Sequence, residues 1–185
     1  MNKWNRKRTI KRRYDFTSQM YDSRYSEEQE AKYKVALKYL RIDPEAVILD
    51  VGCGTGLLFS HLQNRAKIVL GVDISKQLLI QAKDRAKMYE KIFLIQADAD
   101  HLPFETNFFD LVFAFTMLQN MPKPSETLKE MLRVAKQGSS IVVTGLKRVI
   151  SLENLGKMLK ESGFSPSILR DDQLLNCHIA VSKKS

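Results

Sequence analysis

Leu49-Asp50-Val51-Gly52-Cys53-Gly54-Thr55-Gly56 is the stretch on which the reading of this 185-residue chain turns. Ala46 to Val51 is a short, apolar, β-branched run that suits a strand buried on both faces. It leads directly into three glycines at alternate positions, after which residues 57–63 predict a helix. Glycines at such a point let the backbone turn tightly and come close to a ligand, while the following helix presents its positive N-terminal end. The spacing departs from the G-x-G-x-x-G of dinucleotide binders, and a glycine run at a strand end also serves as a plain packing turn.

Working outward, the same alternation recurs on both sides. Upstream, Ser26-Glu27-Glu28-Gln29 has the form of a capping box, and Ala31, Val35, Ala36, Leu37 and Leu40 give a helical apolar stripe ending near Ile42, ahead of Asp43-Pro44. Downstream, strands are predicted at 67–72, 92–96, 111–115 and 140–145, with helices at 75–87 and 126–135. A helix at 151–162 and two strands at 165–170 and 176–182 follow. Too few residues separate those last two strands for a crossover helix, so they must run antiparallel. The pattern predicts an α/β fold, doubly wound, with a mainly parallel seven-stranded sheet and an antiparallel last strand. No internal repeat appears, and the division expected is a basic N-terminal arm over 1–13 and a single domain over 14–185.

Composition narrows the chemistry. The net charge is +9, but Lys3, Arg6, Lys7, Arg8, Lys11, Arg12 and Arg13 supply seven positive charges before any acid, and the remainder is close to balanced. Such a concentrated arm attracts polyanions, with Trp4 and Tyr14 placed to stack on bases; it also reads as a solvated, frayed terminus. The two cysteines, Cys53 and Cys177, have neither disulfide-framework nor zinc-site spacing and are expected to be free thiols. No metal site is predicted. No apolar run is long enough to span a bilayer and no signal peptide is apparent, so the expected location is cytoplasmic.

Two further features join the glycine turn. Gly71-Val72-Asp73-Ile74-Ser75 puts an acid at the end of the second predicted strand, where a carboxylate can accept hydrogen bonds from both hydroxyls of a ribose. Asp73 is also placed as a helix N-terminal acid, although Ser75 is the better cap. Gln96-Ala97-Asp98-Ala99-Asp100 follows the third strand, where Asp98 can meet the exocyclic amine of an adenine and Ala99 or Leu102 its face. Open α/β sheets collect ligands at these carboxyl ends.

These residues resemble the class I S-adenosylmethionine-dependent methyltransferases, most closely the methyltransferase type 11 branch that holds ubiquinone and menaquinone biosynthesis methyltransferases and several small RNA-modifying enzymes. The likeness runs from about Tyr14 to Gly145. Leu49 to Gly56 looks like the first motif, Val72-Asp73-Ile74-Ser75 the second and Ala97-Asp98-Ala99 the third. Phe109-Asp110-Leu111-Val112 and Leu128 to Val134 continue it. The resemblance implies a Rossmann-like fold, with S-adenosylmethionine held by Asp50 and the backbone of Gly52, Cys53, Gly54, Thr55 and Gly56 at its amino-acid portion. It implies Asp73 on the ribose, Ile74 and Ala99 on the adenine faces, Asp98 on its amine, and Phe115, Thr116 and Met117 around the methyl-transfer pocket. Tyr21-Asp22-Ser23-Arg24-Tyr25 is similar to the family's opening segment, which makes Tyr21 a lid contact or else a packing aromatic.

Two departures bear on chemistry. Phe115-Thr116-Met117-Leu118-Gln119-Asn120 lacks the Asn/Asp-Pro-Pro-aromatic signature of enzymes that methylate planar nitrogens, and neither cysteine lies in a Pro-Cys context for covalent attack on a pyrimidine. Lys136-Gln137-Gly138-Ser139-Ser140 stands where a Pro-Gly-Gly turn is usual. Methyl transfer from a sulfonium is an in-line displacement that requires alignment and exclusion of water more than a dedicated acid or base. No catalytic residue is therefore assigned; His101 is a candidate base near the pocket rim, but a lone loop histidine is more often a surface residue. The basic arm and the absence of an inserted cap favour RNA or a ribonucleoprotein as substrate. The family branch and Phe104, Phe108, Phe109, Phe113 and Phe115 suggest instead a small aromatic or quinone-like acceptor, and an activating protein partner is a further expectation. A nicotinamide-dependent oxidoreductase shares the glycine turn and following acid, and an inactive cofactor-binding scaffold is the other alternative.

Overall fold

The computed structural model describes residues 2–184. Its strands are β1 (Val47–Val51), β2 (Ile68–Asp73), β3 (Ile92–Gln96), β4 (Phe109–Ala114), β5 (Ala135–Leu146), β6 (Ser165–Arg170) and β7 (Cys177–Lys183). They form one sheet in the order β3-β2-β1-β4-β5-β7-β6. β1 to β5 are mutually parallel, and β7 runs antiparallel to both β5 and β6. The doubly wound sheet predicted from the alternation of elements is the one found.

Helices are α1 (Lys3–Thr17), α2 (Tyr21–Leu37), α3 (Phe59–Leu62), α4 (Lys76–Ala86), α5 (Pro124–Val134) and α6 (Leu152–Glu161). Both faces of the sheet are covered, which is why the central strands carry runs of consecutive apolar residues and not an alternating pattern. Ile48, Val69, Leu111 and Phe113 pack on one side against Tyr33 and Ala36 of α2, Phe59 of α3 and Leu79 and Ala82 of α4. Leu49, Val51, Val112 and Ile141 pack on the other against Leu128 and Met131 of α5 and Leu155 and Leu159 of α6. Ser75 caps α4, its hydroxyl accepting from the Leu78 amide at 3.2 Å, as its position predicted.

Three local expectations change. Ser26 begins no helix: α2 starts at Tyr21, carried over from α1 through a 3₁₀ turn at Ser18–Met20, so the capping-box residues lie inside a continuous helix. The Lys136–Ser140 stretch is absorbed into β5, where Gly138 adopts a φ of +73° and the pairing with β4 shifts register between Phe109 and Leu111. The basic segment is not a frayed tail; it is the helix α1, capped by the Asn2 side chain accepting from the Asn5 amide. Among the described residues no helix is long and apolar enough to cross a membrane.

Candidate cofactor site

The order of strands reverses between β1 and β4, and the carboxyl ends on either side of that point open a cleft of about 700 Å³. Of the residues predicted to bind the cofactor, Tyr21, Gly52, Gly54, Asp73, Ile74, Asp98, Ala99, Phe115 and Thr116 line it together. Asp50, Cys53 and Thr55 instead line a smaller adjoining cavity of about 260 Å³, which shares Tyr21, Gly52 and Phe115 with the first. Gly56 borders neither. Its φ of +78° lets the chain pass over the buried Phe59 ring.

The glycine turn is held by β2. The amides of Gly52 and Cys53 donate to the Val72 carbonyl at 2.7 and 3.0 Å, and the Gly54 amide donates to Asp73 Oδ2 at 3.0 Å. Asp73 Oδ1 accepts from the Ser75 amide at 2.8 Å. One carboxylate thus ties the turn to the start of α4 while facing the cleft. Burial pushes the Asp73 carboxyl above its ordinary range, with hydrogen bonds from Ser75 and Gly54 acting the other way.

Asp50 is the unusual group. It is 3% exposed and has no hydrogen-bond or ion-pair partner among the described residues, while it borders the smaller cavity. Burial, reinforced by the neighbouring Asp73 charge, raises its pKa to about 8. A buried carboxylate without a partner is costly unless a cation sits against it. The ammonium and sulfonium of S-adenosylmethionine are such cations, and this orphaned acid is the observation by which the site fits that cofactor. Because the folded-state pKa lies above the unfolded one, Asp50 contributes stability at low pH that is lost as pH rises from about 4 through about 8. We expect the ligand-free protein to lose up to about 1.4 kcal/mol per pH unit in that window, about 3–5 °C in Tm. Thermal unfolding from pH 6 to 9 measures it, and Asp50→Asn should flatten the curve.

At the β4 end, Thr116 takes a φ of +55°, uncommon for a threonine. Its amide donates to Thr144 Oγ1 at 2.7 Å and its hydroxyl accepts from the Lys32 ammonium at 2.9 Å, while Gln119 donates to its carbonyl at 2.6 Å. Lys32 is fully buried and lies 2.8 Å from Glu28 Oε1, an ion pair without hydrogen-bond alignment. Tyr21 accepts from Gln29 at 3.3 Å and packs against Tyr14 and Tyr25. His101 is exposed and lies outside the cleft, whereas Phe109, Phe113 and Phe115 are core.

Sequence reasoning missed the contributions of α1 and of Asn120 and Met121 after β4. Lys7, Ile10 and Tyr14 of α1 line the cleft, as do Asn120 and Met121. Lys7 donates to both Asp98 oxygens, at 2.5 and 2.7 Å, and to Asp100; Lys3 pairs with Asp100 and Glu126, and Lys11 with Asp15. Burial alone would raise the Asp100 carboxyl, but hydrogen bonds from Lys7, Thr127 and Lys3 outweigh it and hold it below its usual range. Three of the seven cations of the segment are therefore taken up in ion pairs, two of them to acids beyond the helix. Arg6, Arg8, Arg12 and Arg13 stay exposed, with no ion pair among the described residues.

Comparison with known proteins agrees with this geometry. Residues 49–143 match the methyltransferase domain family. A malonyl-[acyl-carrier protein] O-methyltransferase of Marinomonas sp. (strain MWYL1) is 33% identical over 77% of this chain and 53% of its own length. A demethylmenaquinone methyltransferase of Bacillus licheniformis is 35% identical over 57% of this chain and 47% of its own length. The chain thus spans about half the length of the curated relatives it matches. Among solved structures, a Haloferax volcanii methyltransferase in complex with the Trm112 methyltransferase activator superposes with a TM-score of 0.79 at 15% identity, covering 92% of this chain and 97% of that one, a likeness of fold. With half of its residues matched by the family, its strand order the expected one and an unpartnered acid in the cavity adjoining the cleft, the chain belongs to the class I S-adenosylmethionine-dependent methyltransferases.

Proposed function

We propose that this chain is an enzyme that transfers a methyl group from S-adenosylmethionine to RNA or a ribonucleoprotein. The observation that carries the substrate class is the outer side of α1, where Arg6, Arg8, Arg12 and Arg13 stand exposed with no ion pair among the described residues, Arg8 and Arg12 lining a groove with the half-exposed Trp4. Arginines in such an array serve phosphates, and an adjacent indole serves bases. In this reading Asp73 accepts from the ribose hydroxyls, Asp98 from the adenine amine, Ile74 and Ala99 flank the base, and Asp50 with the Gly52–Gly56 backbone meets the amino-acid portion. When bound, S-adenosylmethionine supplies an electrophilic methyl group on a positively charged sulfur. The protein aligns the acceptor at Phe115, Thr116 and Met117 and keeps water out with Tyr14, Tyr21 and Met121. Such an alignment mechanism needs no dedicated acid or base.

A second reading, a small aromatic or quinone-like acceptor, is favoured by the apolar wall of Ile10, Tyr14, Phe115, Met117 and Met121 and by the demethylmenaquinone methyltransferases among the relatives. An activating protein partner belongs to the proposal as well, supported by the fold neighbour bound to its activator and by the half-exposed Phe93 on the outer strand β3. The family match and the antiparallel β7 leave no support for a nicotinamide-dependent oxidoreductase.

Incubation with labelled methyl donor and either total RNA or a lipid extract decides between the acceptors. Label in RNA is expected; label in lipid alone selects the second reading, and label in neither overturns both. For RNA, Arg6→Ala/Arg8→Ala/Arg12→Ala should weaken binding and reduce the slope of log K against log salt by about 2, given roughly 0.7 per single-strand phosphate contact. Unchanged binding by that triple variant removes α1 as an RNA contact.

A further inference from the structure

The structure carries an inference about α1 that rests on the cofactor assignment and not on the nature of the acceptor. The helix lies outside the residues matched by the family, which begin at 49, yet it crosses the adenosyl end of the cleft. Its inward stripe is Lys3, Lys7, Ile10 and Tyr14, the a/d spacing of a helix face turned to a surface. Ile10 and Tyr14 line the cleft together with Ile74 and Ala99, and Lys7, only 4% exposed, lines it beside Asp98.

Polar groups fasten the helix at every turn. Lys3 is bound to Asp100 and Glu126, Lys7 to Asp98 and Asp100, and the Tyr14 hydroxyl accepts from Asn120 at 2.9 Å. At the far end Asp15 accepts from the Ser75 hydroxyl at 2.6 Å and the Gln77 amide at 3.3 Å, joining α1 to the start of α4. Asp98 is the acid placed to take the adenine amine, and without Lys7 it would lose its own cation beside the buried Asp100, which keeps Lys3. Two acids so close repel each other, and the orientation of Asp98 would be lost.

We propose that α1 is part of the cofactor-binding site: Ile10 and Tyr14 roof the adenosyl moiety, and Lys7 positions the Asp98 carboxylate for its exocyclic amine. Ile10 and Tyr14 cover one side of the cleft, so cofactor exchange is faster when α1 lifts. Trp4 is the single tryptophan and sits on this helix, so its emission reports the movement directly.

The test uses the full chain and S-adenosylhomocysteine as the probe. Calorimetry on Lys7→Met and Tyr14→Ala should give affinities weaker by about 10-fold or more, the range of one lost charge-assisted hydrogen bond. In a chase experiment, Lys7→Met should release the probe faster, with Trp4 emission changing at the same rate. Should Lys7→Met fold poorly, amide exchange on the unaltered protein answers the same question: residues 7–15 gain protection when the probe binds, while β6 and β7 do not. Wild-type affinity in both variants, or α1 amides that exchange equally with and without probe, overturns the assignment of the roof. Absence of probe binding by the wild-type chain would instead overturn the cofactor reading on which it rests.

Discussion

Asp73→Ala should lower affinity for S-adenosylmethionine by at least about 100-fold while leaving the sheet intact. The carboxylate sits where two ribose hydroxyls would donate, and hydrogen bonds to a charged acceptor contribute roughly 1.5–3 kcal/mol each. It also holds the Gly54 and Ser75 amides at 3.0 and 2.8 Å, so its removal loosens the glycine turn in the same stroke. Asp73→Asn, which keeps one oxygen but introduces a donor, should fall between the two. Titration calorimetry with the cofactor reads the loss, and far-ultraviolet circular dichroism confirms that the fold survives. An unchanged affinity for Asp73→Ala would end the ribose assignment.

Gly56→Ala should be the most damaging single methyl group in the turn. A Cβ at this position would lie 2.3 Å from Phe59 Cε2 and 2.5 Å from Cδ2, and that ring is fully buried. The φ of +78° adds about 1–2 kcal/mol for any side chain in the left-handed region, and overpacking against a ring that has nowhere to go adds about 1–3 kcal/mol. Together these lower Tm by about 10 °C for a chain of this size. Gly138→Ala carries a similar strain, with φ of +73°, but its Cβ would meet nothing within 4 Å, so a loss of only a few degrees is expected. Gly54→Ala belongs to a third class. Its Cβ would rest 3.8 Å from the Tyr21 ring, ordinary contact for the fold, yet it would protrude into the cleft and reduce cofactor affinity. Thermal unfolding of the three variants ranks them, and equal losses at Gly56 and Gly138 would show that Phe59 yields.

Much of this could be read before any coordinates. A strand buried on both faces advertises itself through consecutive apolar residues, as Ile48 to Val51 do. A turn that must adopt positive φ advertises itself through glycine, and acids at successive strand ends mark where a ligand collects. These are properties of a few neighbouring residues, and they sufficed for the sheet, its antiparallel close and the family. The capping-box pattern at Ser26 misled for the converse reason: the same four residues fit the interior of a helix that has already begun at Tyr21.

What the linear chain determined, then, was the sheet and the loops that line the cleft, because strand periodicity and glycine dihedrals are encoded within short windows. Only the folded arrangement decided the role of α1 and of Asp50. Lys3 and Lys7 occupy positions where a helix normally shows apolar residues, and they are tolerated there only because Asp98, Asp100 and Glu126, about 90 or more residues away in sequence, come to meet them. Asp50 likewise looks like any strand-end acid until packing removes every partner from its carboxylate. Burial and charge pairing are set by long-range contacts, so a segment that is merely basic on paper becomes, in three dimensions, part of the lining of the cleft.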